Sequence, residues 1–108
     1  MGKEQYLVSG LIRLHILYHA SREPIYGLGM IEELERHGYR MSPGTLYPML
    51  HGLEQKDYLR STEVRSGRHA RRNYRATARG RRALDEAREK VRELFGELFK
   101  DEFATGGG

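Results

Sequence analysis

Cysteine is missing from all 108 residues of the chain. Its absence excludes disulfides, thiolate nucleophiles and every zinc site built on sulfur. Long apolar runs are missing as well: nothing approaches the roughly 18 consecutive apolar residues of a bilayer span. The opening residues MGKEQYLVSG lack the basic, apolar and small-residue layout of a secretion signal, so the chain is expected in the cytoplasm. No spacing of Ser, His and Asp suggests a catalytic triad, and the glycines form no phosphate loop. An enzyme is therefore not expected, nor any cofactor. Proline is scarce, with three residues, Pro24, Pro43 and Pro48.

Acidic residues are nearly absent from one segment. Between Arg60 and Arg82 there are nine arginines, no lysine and one acid, Glu63. That segment carries +8 while the whole chain carries +4, so the remainder is net acidic. Such asymmetry offers a polyanion one localised basic stretch, and arginine-only usage favours phosphate contact over general solubility.

Apolar spacing predicts a first helix over Lys3–Ala20. Leu7, Leu11, Leu14 and Tyr18 form one stripe, and Val8, Ile12 and Ile16 a second. A helix apolar on two sides is expected to bury more than one face. Gly10 lowers its propensity and is a candidate point of close approach to another helix. Pro24 ends it, because the residue before proline is pushed out of the α region. The second predicted helix, Tyr26–His37, has Leu28, Ile31 and Leu34 facing inward and stops at Gly38.

Only Tyr39-Arg40-Met41 separates that stop from the next start. Ser42 is placed to cap a helix over Pro43–Lys56, and Pro43 fits the first helical position. Leu46, Met49, Leu50 and Leu53 make its inner stripe. The opposite face carries Gly44, Tyr47, Pro48, His51 and Gln55, polar and aromatic but almost uncharged. A merely solvated face would be rich in Glu and Lys, so this one is suited to touching a partner. Pro48 should produce a kink or a tightened first turn, since an interior proline costs about 3 kcal/mol in an ordinary helix.

Strands are predicted at Tyr58–Val64 and Arg71–Ala76, joined by a turn over Arg65–Ala70, with Leu59 and Tyr74 as core anchors. Thr77 is the expected N-cap of a last helix over Ala78–Phe103. There Leu84, Ala87, Val91, Leu94 and Leu98 step by three and four, with Phe95, Phe99 and Phe103 alongside. Such a seam is the pattern of helix pairing between chains. The fold class is thus mostly α with a small β-hairpin, a winged helix-turn-helix in the order α-α-α-β-β-α. Residues 1–76 make the winged helix, 77–103 a dimerisation helix, and 104–108 a flexible glycine-rich tail.

The run Tyr26-Gly27, Ser42-Pro43-Gly44-Thr45-Leu46-Tyr47-Pro48-Met49-Leu50 and Leu53-Glu54 resembles the PadR-like transcriptional regulators. The resemblance continues through Arg71-Arg72-Asn73-Tyr74-Arg75-Ala76-Thr77 and Gly80-Arg81. It implies a homodimeric winged helix paired through its first and last helices, in the short form with one C-terminal helix. It also implies repression from a palindromic operator on the bacterial nucleoid, often relieved by a small molecule, and tolerance of Pro48. Leu28-Gly29 departs from the Tyr-Glu common in the family, and the chain lacks the tryptophans that sandwich drugs in multidrug-responsive members.

Ser42, Gly44 and Thr45, at a helix N-terminus, are the expected phosphate contacts of the recognition helix. Tyr47 and His51 are expected in the major groove, and Arg68, His69, Arg71 and Arg72 on the backbone from the wing. Ile12, His15, Phe95 and Phe99 are the candidate lining of an effector pocket. A rival reading is a metal sensor, with His15, His19 and Glu23 at i, i+4, i+8. A third is an interaction module that dimerises without binding DNA.

Overall fold

A computed structural model describes residues 3–102, in the order α1 (Lys3–Arg22), α2 (Gly27–Arg36), α3 (Pro43–Gln55), β1 (Leu59–Ser66), β2 (His69–Ala76) and α4 (Ala78–Leu98). Phe103 and the 104–108 tail lie outside the described residues. The core is built where α1, α2 and α3 converge on the base of the hairpin. Ile12, Ile16, Leu17 and Ala20 of α1 meet Met30, Ile31 and Leu34 of α2 and Leu46, Met49, Leu50 and Leu53 of α3. Leu59 and Tyr74 close it from the two strands, as their positions predict.

The two apolar stripes of α1 part company. Ile12 and Ile16 are buried, whereas Leu7 is 84% exposed and Leu11 and Tyr18 are also exposed. In α2 the expected inward Leu28 is instead 61% exposed, and Met30 takes the core position with Ile31 and Leu34. The reason is phase: Met30 and Leu34 lie one turn apart and share the buried face, from which Leu28 is rotated away.

Both connections around α3 are Schellman turns. After α2, Tyr39 N–H donates to the Leu34 carbonyl and Gly38 N–H to that of Glu35, with Gly38 at φ 89°. After α3, Tyr58 N–H donates to Leu53 and Asp57 N–H to Glu54, with Asp57 in the left-handed region at φ 62°. Asp is among the few non-glycine residues that visit this conformation.

Ser42 occupies the N-cap position of α3, but its hydroxyl does not cap a backbone N–H as predicted. It donates instead to the Thr45 hydroxyl at 3.3 Å. Its carbonyl accepts from both Thr45 N–H (3.1 Å) and Leu46 N–H (2.9 Å). Helix α3 runs on through Pro48 without interruption.

The hairpin is longer and its turn shorter than predicted. Strand pairing runs from Leu59↔Ala76 to Ser66↔His69, so Arg65, His69 and Ala70 belong to the ladder. Gly67 and Arg68 alone make the turn. Gly67 has φ 61° while Arg68 does not have positive φ, which is the type II′ geometry whose twist matches paired strands. Ile25 adds a one-residue third strand, exchanging hydrogen bonds with Tyr74 at 2.9 and 2.7 Å.

Thr77 caps α4 as predicted, accepting from Gly80 N–H at 2.9 Å and donating to the Asp57 carbonyl at 2.5 Å. The continuous helix α4 ends at Leu98 with Phe99 as C-cap, and helical residues resume over 100–102. Arg81 reaches back to the Ser21 carbonyl at the end of α1. None of the helices among the described residues is long and apolar enough to cross a membrane.

Candidate nucleic-acid interface

The buried stripe of α3 fixes which of its side chains face out. With Leu46, Met49, Leu50 and Leu53 inside, Ser42, Gly44, Tyr47, Pro48 and His51 are exposed and Thr45 is half-buried. The outward face is the one predicted, and it carries no charged group between Pro43 and Leu53. Tyr47 is not a free side chain, however. Its phenol end lies against Gly27 at the head of α2, filling the space a Cβ there would need. Gly27, which in the sequence looks like a weak helix start, is the seat that lets this ring lie down between α2 and α3.

The wing presents its arginines unequally. Arg68, at the turn, is exposed and has no hydrogen bond or ion pair among the described residues. Arg71 lies over the Tyr26 ring, 4.0 Å from its centroid, in cation–π geometry. Arg72 donates to Ser61 Oγ at 3.3 Å, and Ser61 donates to a Glu54 carboxylate oxygen at 2.5 Å. This relay ties the wing to the end of α3. His69 is exposed on the strand opposite Ser66. Arg60 and Arg75 stand directly opposite each other in the ladder, an arrangement that costs energy unless an anion lies nearby. Burial raises the Tyr74 phenol pKa; Glu54 and Tyr47 add to the rise and Arg72 opposes it. The phenol therefore stays neutral beside the relay.

Chain similarity places these features in a family. Residues 16–86 match the transcriptional regulator PadR-like family. The chain belongs to the PadR-like transcriptional regulators. It is 50% identical over 97 residues to the transcriptional regulator Rv3488 of Mycobacterium tuberculosis, covering 89% of this chain and 90% of that one. The PadR family regulator of Eggerthella lenta superposes with a TM-score of 0.79 at 32% identity, over 88% of this chain and 84% of that one. A PadR-like regulator of Bacillus cereus gives 0.80 at 25% identity, over 88% and 94%. The winged-helix order α-α-α-β-β-α is thus that of PadR-like structures, and membership makes this protein a regulator of transcription.

Away from α3, this PadR-like chain leaves an apolar trough between α1 and α4. It is open to solvent, holds about 590 Å³, and is lined by Leu11, Leu14, Tyr18, Leu84, Val91 and Phe95 together with His15, His19, His37, Arg88 and Arg92. Of the four residues expected to line an effector pocket, His15 and Phe95 are there. Ile12 is wholly buried in the core instead, on the stripe of α1 it shares with Ile16. Phe99 stacks beyond Phe95, ring centroids 4.7 Å apart. The signal for Leu11 was present in the sequence as the outer stripe of α1.

His15 has its pKa lowered by burial first, then by the neighbouring imidazoles of His37 and His19, with Glu33 opposing. His37 comes from the far end of α2, a neighbour that spacing along α1 does not reveal. Glu23, the third member expected from the sequence, does not join the three histidines but shares a smaller cleft with His19, Ile25 and Met30.

Proposed function

We propose that the protein is a homodimeric repressor that binds an inverted-repeat operator in double-stranded DNA through α3 and the wing. The observation that carries this reading is the uncharged, exposed face of α3 beside a hairpin that carries six arginines and one acid, Glu63. Base edges are read by neutral hydrogen-bonding and aromatic groups, and the phosphate backbone is gripped by arginine. Ser42, Gly44 and Thr45 sit at a helix N-terminus whose hydroxyls are not used as caps, which suits a phosphate oxygen. Tyr47 and His51 read the groove; Arg68, His69, Arg71 and Arg72 hold the backbone.

Dimerisation is supported by apolar surface that the single chain leaves open. Leu7, Leu11 and Tyr18 of α1 and Val91, Leu94, Phe95, Leu98 and Phe99 of α4 are all exposed. Residues 1–76 act as the reading head and 77–103 as the pairing helix, in the cytoplasm on the nucleoid. The trough between α1 and α4 is the place for a small-molecule effector, its aliphatic and aromatic lining joined by three histidines and two arginines.

Selection of bound duplexes from a random pool tests the reading. Enrichment of an inverted repeat with half-sites about one helical turn apart is the expected result. Enrichment of a single half-site would refute the dimeric operator. No enrichment at low salt would refute DNA reading by α3.

A further inference from the structure

Three histidines from two elements converge at the head of the α1–α4 trough. His15 and His19 stand one turn apart on α1, their rings nearly parallel at 13° and 6.4 Å between centroids. His37 is the C-cap of α2, held there by the Schellman turn at Gly38, and its ring lies 4.7 Å from that of His15. One ring nitrogen from each residue lies within 4.8 Å of the others. We propose that His15, His19 and His37 form a binding site for a divalent transition-metal cation of the zinc type.

The chemistry of the donor set argues for this class of ion. Three imidazoles without sulfur suit zinc and its first-row neighbours, and leave a fourth position open. Nitrogens around tetrahedral zinc are about 3.4 Å apart, from Zn–N distances of 2.0–2.1 Å. His37 has room to rotate toward the other two, since it sits at a helix end with its side chain 45% exposed. Glu33, one turn back on α2, places a carboxylate oxygen 3.2 Å from His37 Nε2. A carboxylate on a ligand imidazole orients the ring and raises its basicity, the usual outer partner of a zinc histidine. The open position would face the trough lined by Leu11, Leu84, Val91 and Phe95. Metal binding at this site does not depend on the DNA-binding reading.

Helix α1 alone offers a weaker alternative, the His15–His19 pair with Glu23, and the test separates the two. Full-length protein stripped with chelator is titrated with Zn²⁺ by calorimetry and with Co²⁺ by visible absorption. Saturation at one ion per chain is expected, with ligand-field bands of tetrahedral cobalt. His37→Gln and His15→Gln should each weaken Zn²⁺ binding at least about 10-fold, and Glu33→Gln by about 10-fold. Glu23→Gln should leave it unchanged. Circular dichroism checks that each variant folds, and Zn²⁺ should raise the melting temperature of wild type but not of His37→Gln. Absence of saturable binding by wild type would overturn the proposal. So would a His37→Gln protein that binds like wild type, or loss of binding in Glu23→Gln with His37→Gln unaffected.

Discussion

The ring of Tyr47 on α3 lies against the backbone of Gly27 on α2, in the space that a Cβ on Gly27 would occupy. A helix-turn-helix keeps its recognition helix at a fixed angle to the one before it, and here a tyrosine proposed to read DNA is also the spacer.

Gly27→Ala should therefore affect DNA binding more than folding. Alanine is about 1 kcal/mol better than glycine in a helix interior, which offsets part of the collision. The ring, 39% exposed, can swing outward. The expected outcome is a melting temperature within a few degrees of wild type and operator affinity reduced at least about 10-fold. In a Tyr47→Ala background the same substitution should become stabilising, a sign reversal read from a double-mutant cycle. Stabilisation of Gly27→Ala alone, with full operator affinity, would show that the ring does not need its seat.

Gly80 makes a harder contact. A Cβ there would run into the carbonyl of Tyr58, which is backbone and cannot rotate away. Gly80→Ala should cost about 2 kcal/mol or more by overpacking. Thr77→Ala removes the cap on the same turn and its bond to Asp57, for a loss of about 1 kcal/mol. Chemical denaturation of both variants checks the order, glycine above threonine. Equal, small losses would mean that the start of α4 relaxes away from the strand.

What the sequence revealed divides along a physical line. Periodicity reports the face a residue takes within its own element, and it correctly placed Leu46, Met49, Leu50 and Leu53 inside and Leu59 and Tyr74 as anchors. It could not say which of two stripes on α1 turns to the core, because both are apolar, and so Ile12 was expected in a pocket and lies in the core. Contacts between elements left little trace. Gly27 under Tyr47, Arg71 over Tyr26 and His37 beside His15 join residues 20 or more positions apart, and none is implied by local spacing. Ser42 was misjudged for a local reason: a hydroxyl at an N-cap can bond a neighbouring hydroxyl instead of the backbone.

Leu94→Asp should separate the proposed dimer. Leu94 is absent from the chain's own core and exposed on α4, so a carboxylate there leaves the core of the single chain intact. In the proposed dimer the same carboxylate would be buried without a partner, which is strongly unfavourable. Light scattering at micromolar concentration should give a dimer mass for wild type and a monomer mass for the variant, with operator binding lost in parallel. A wild-type monomer under these conditions would remove the two-fold axis on which the inverted-repeat operator depends.

The wing arginines should sort by their partners. Arg68 has none among the described residues, so Arg68→Ala should leave the melting temperature unchanged. It should lower the slope of log affinity against log salt by about 0.9 per subunit, the value for one phosphate contact. Arg71 is stacked on Tyr26, and its removal should also cost about 0.5–1 kcal/mol of stability, seen as a fall of several degrees. Arg72→Ala breaks the relay through Ser61 to Glu54 that ties the wing to α3. It should therefore weaken operator binding more than its single charge accounts for. Tyr47→Ala should instead leave the salt slope alone and narrow the gap between operator and random DNA by roughly 1–3 kcal/mol. If Arg68→Ala kept the wild-type slope while Tyr47→Ala reduced binding to all sequences equally, the wing tip would not lie on phosphate and Tyr47 would not read bases.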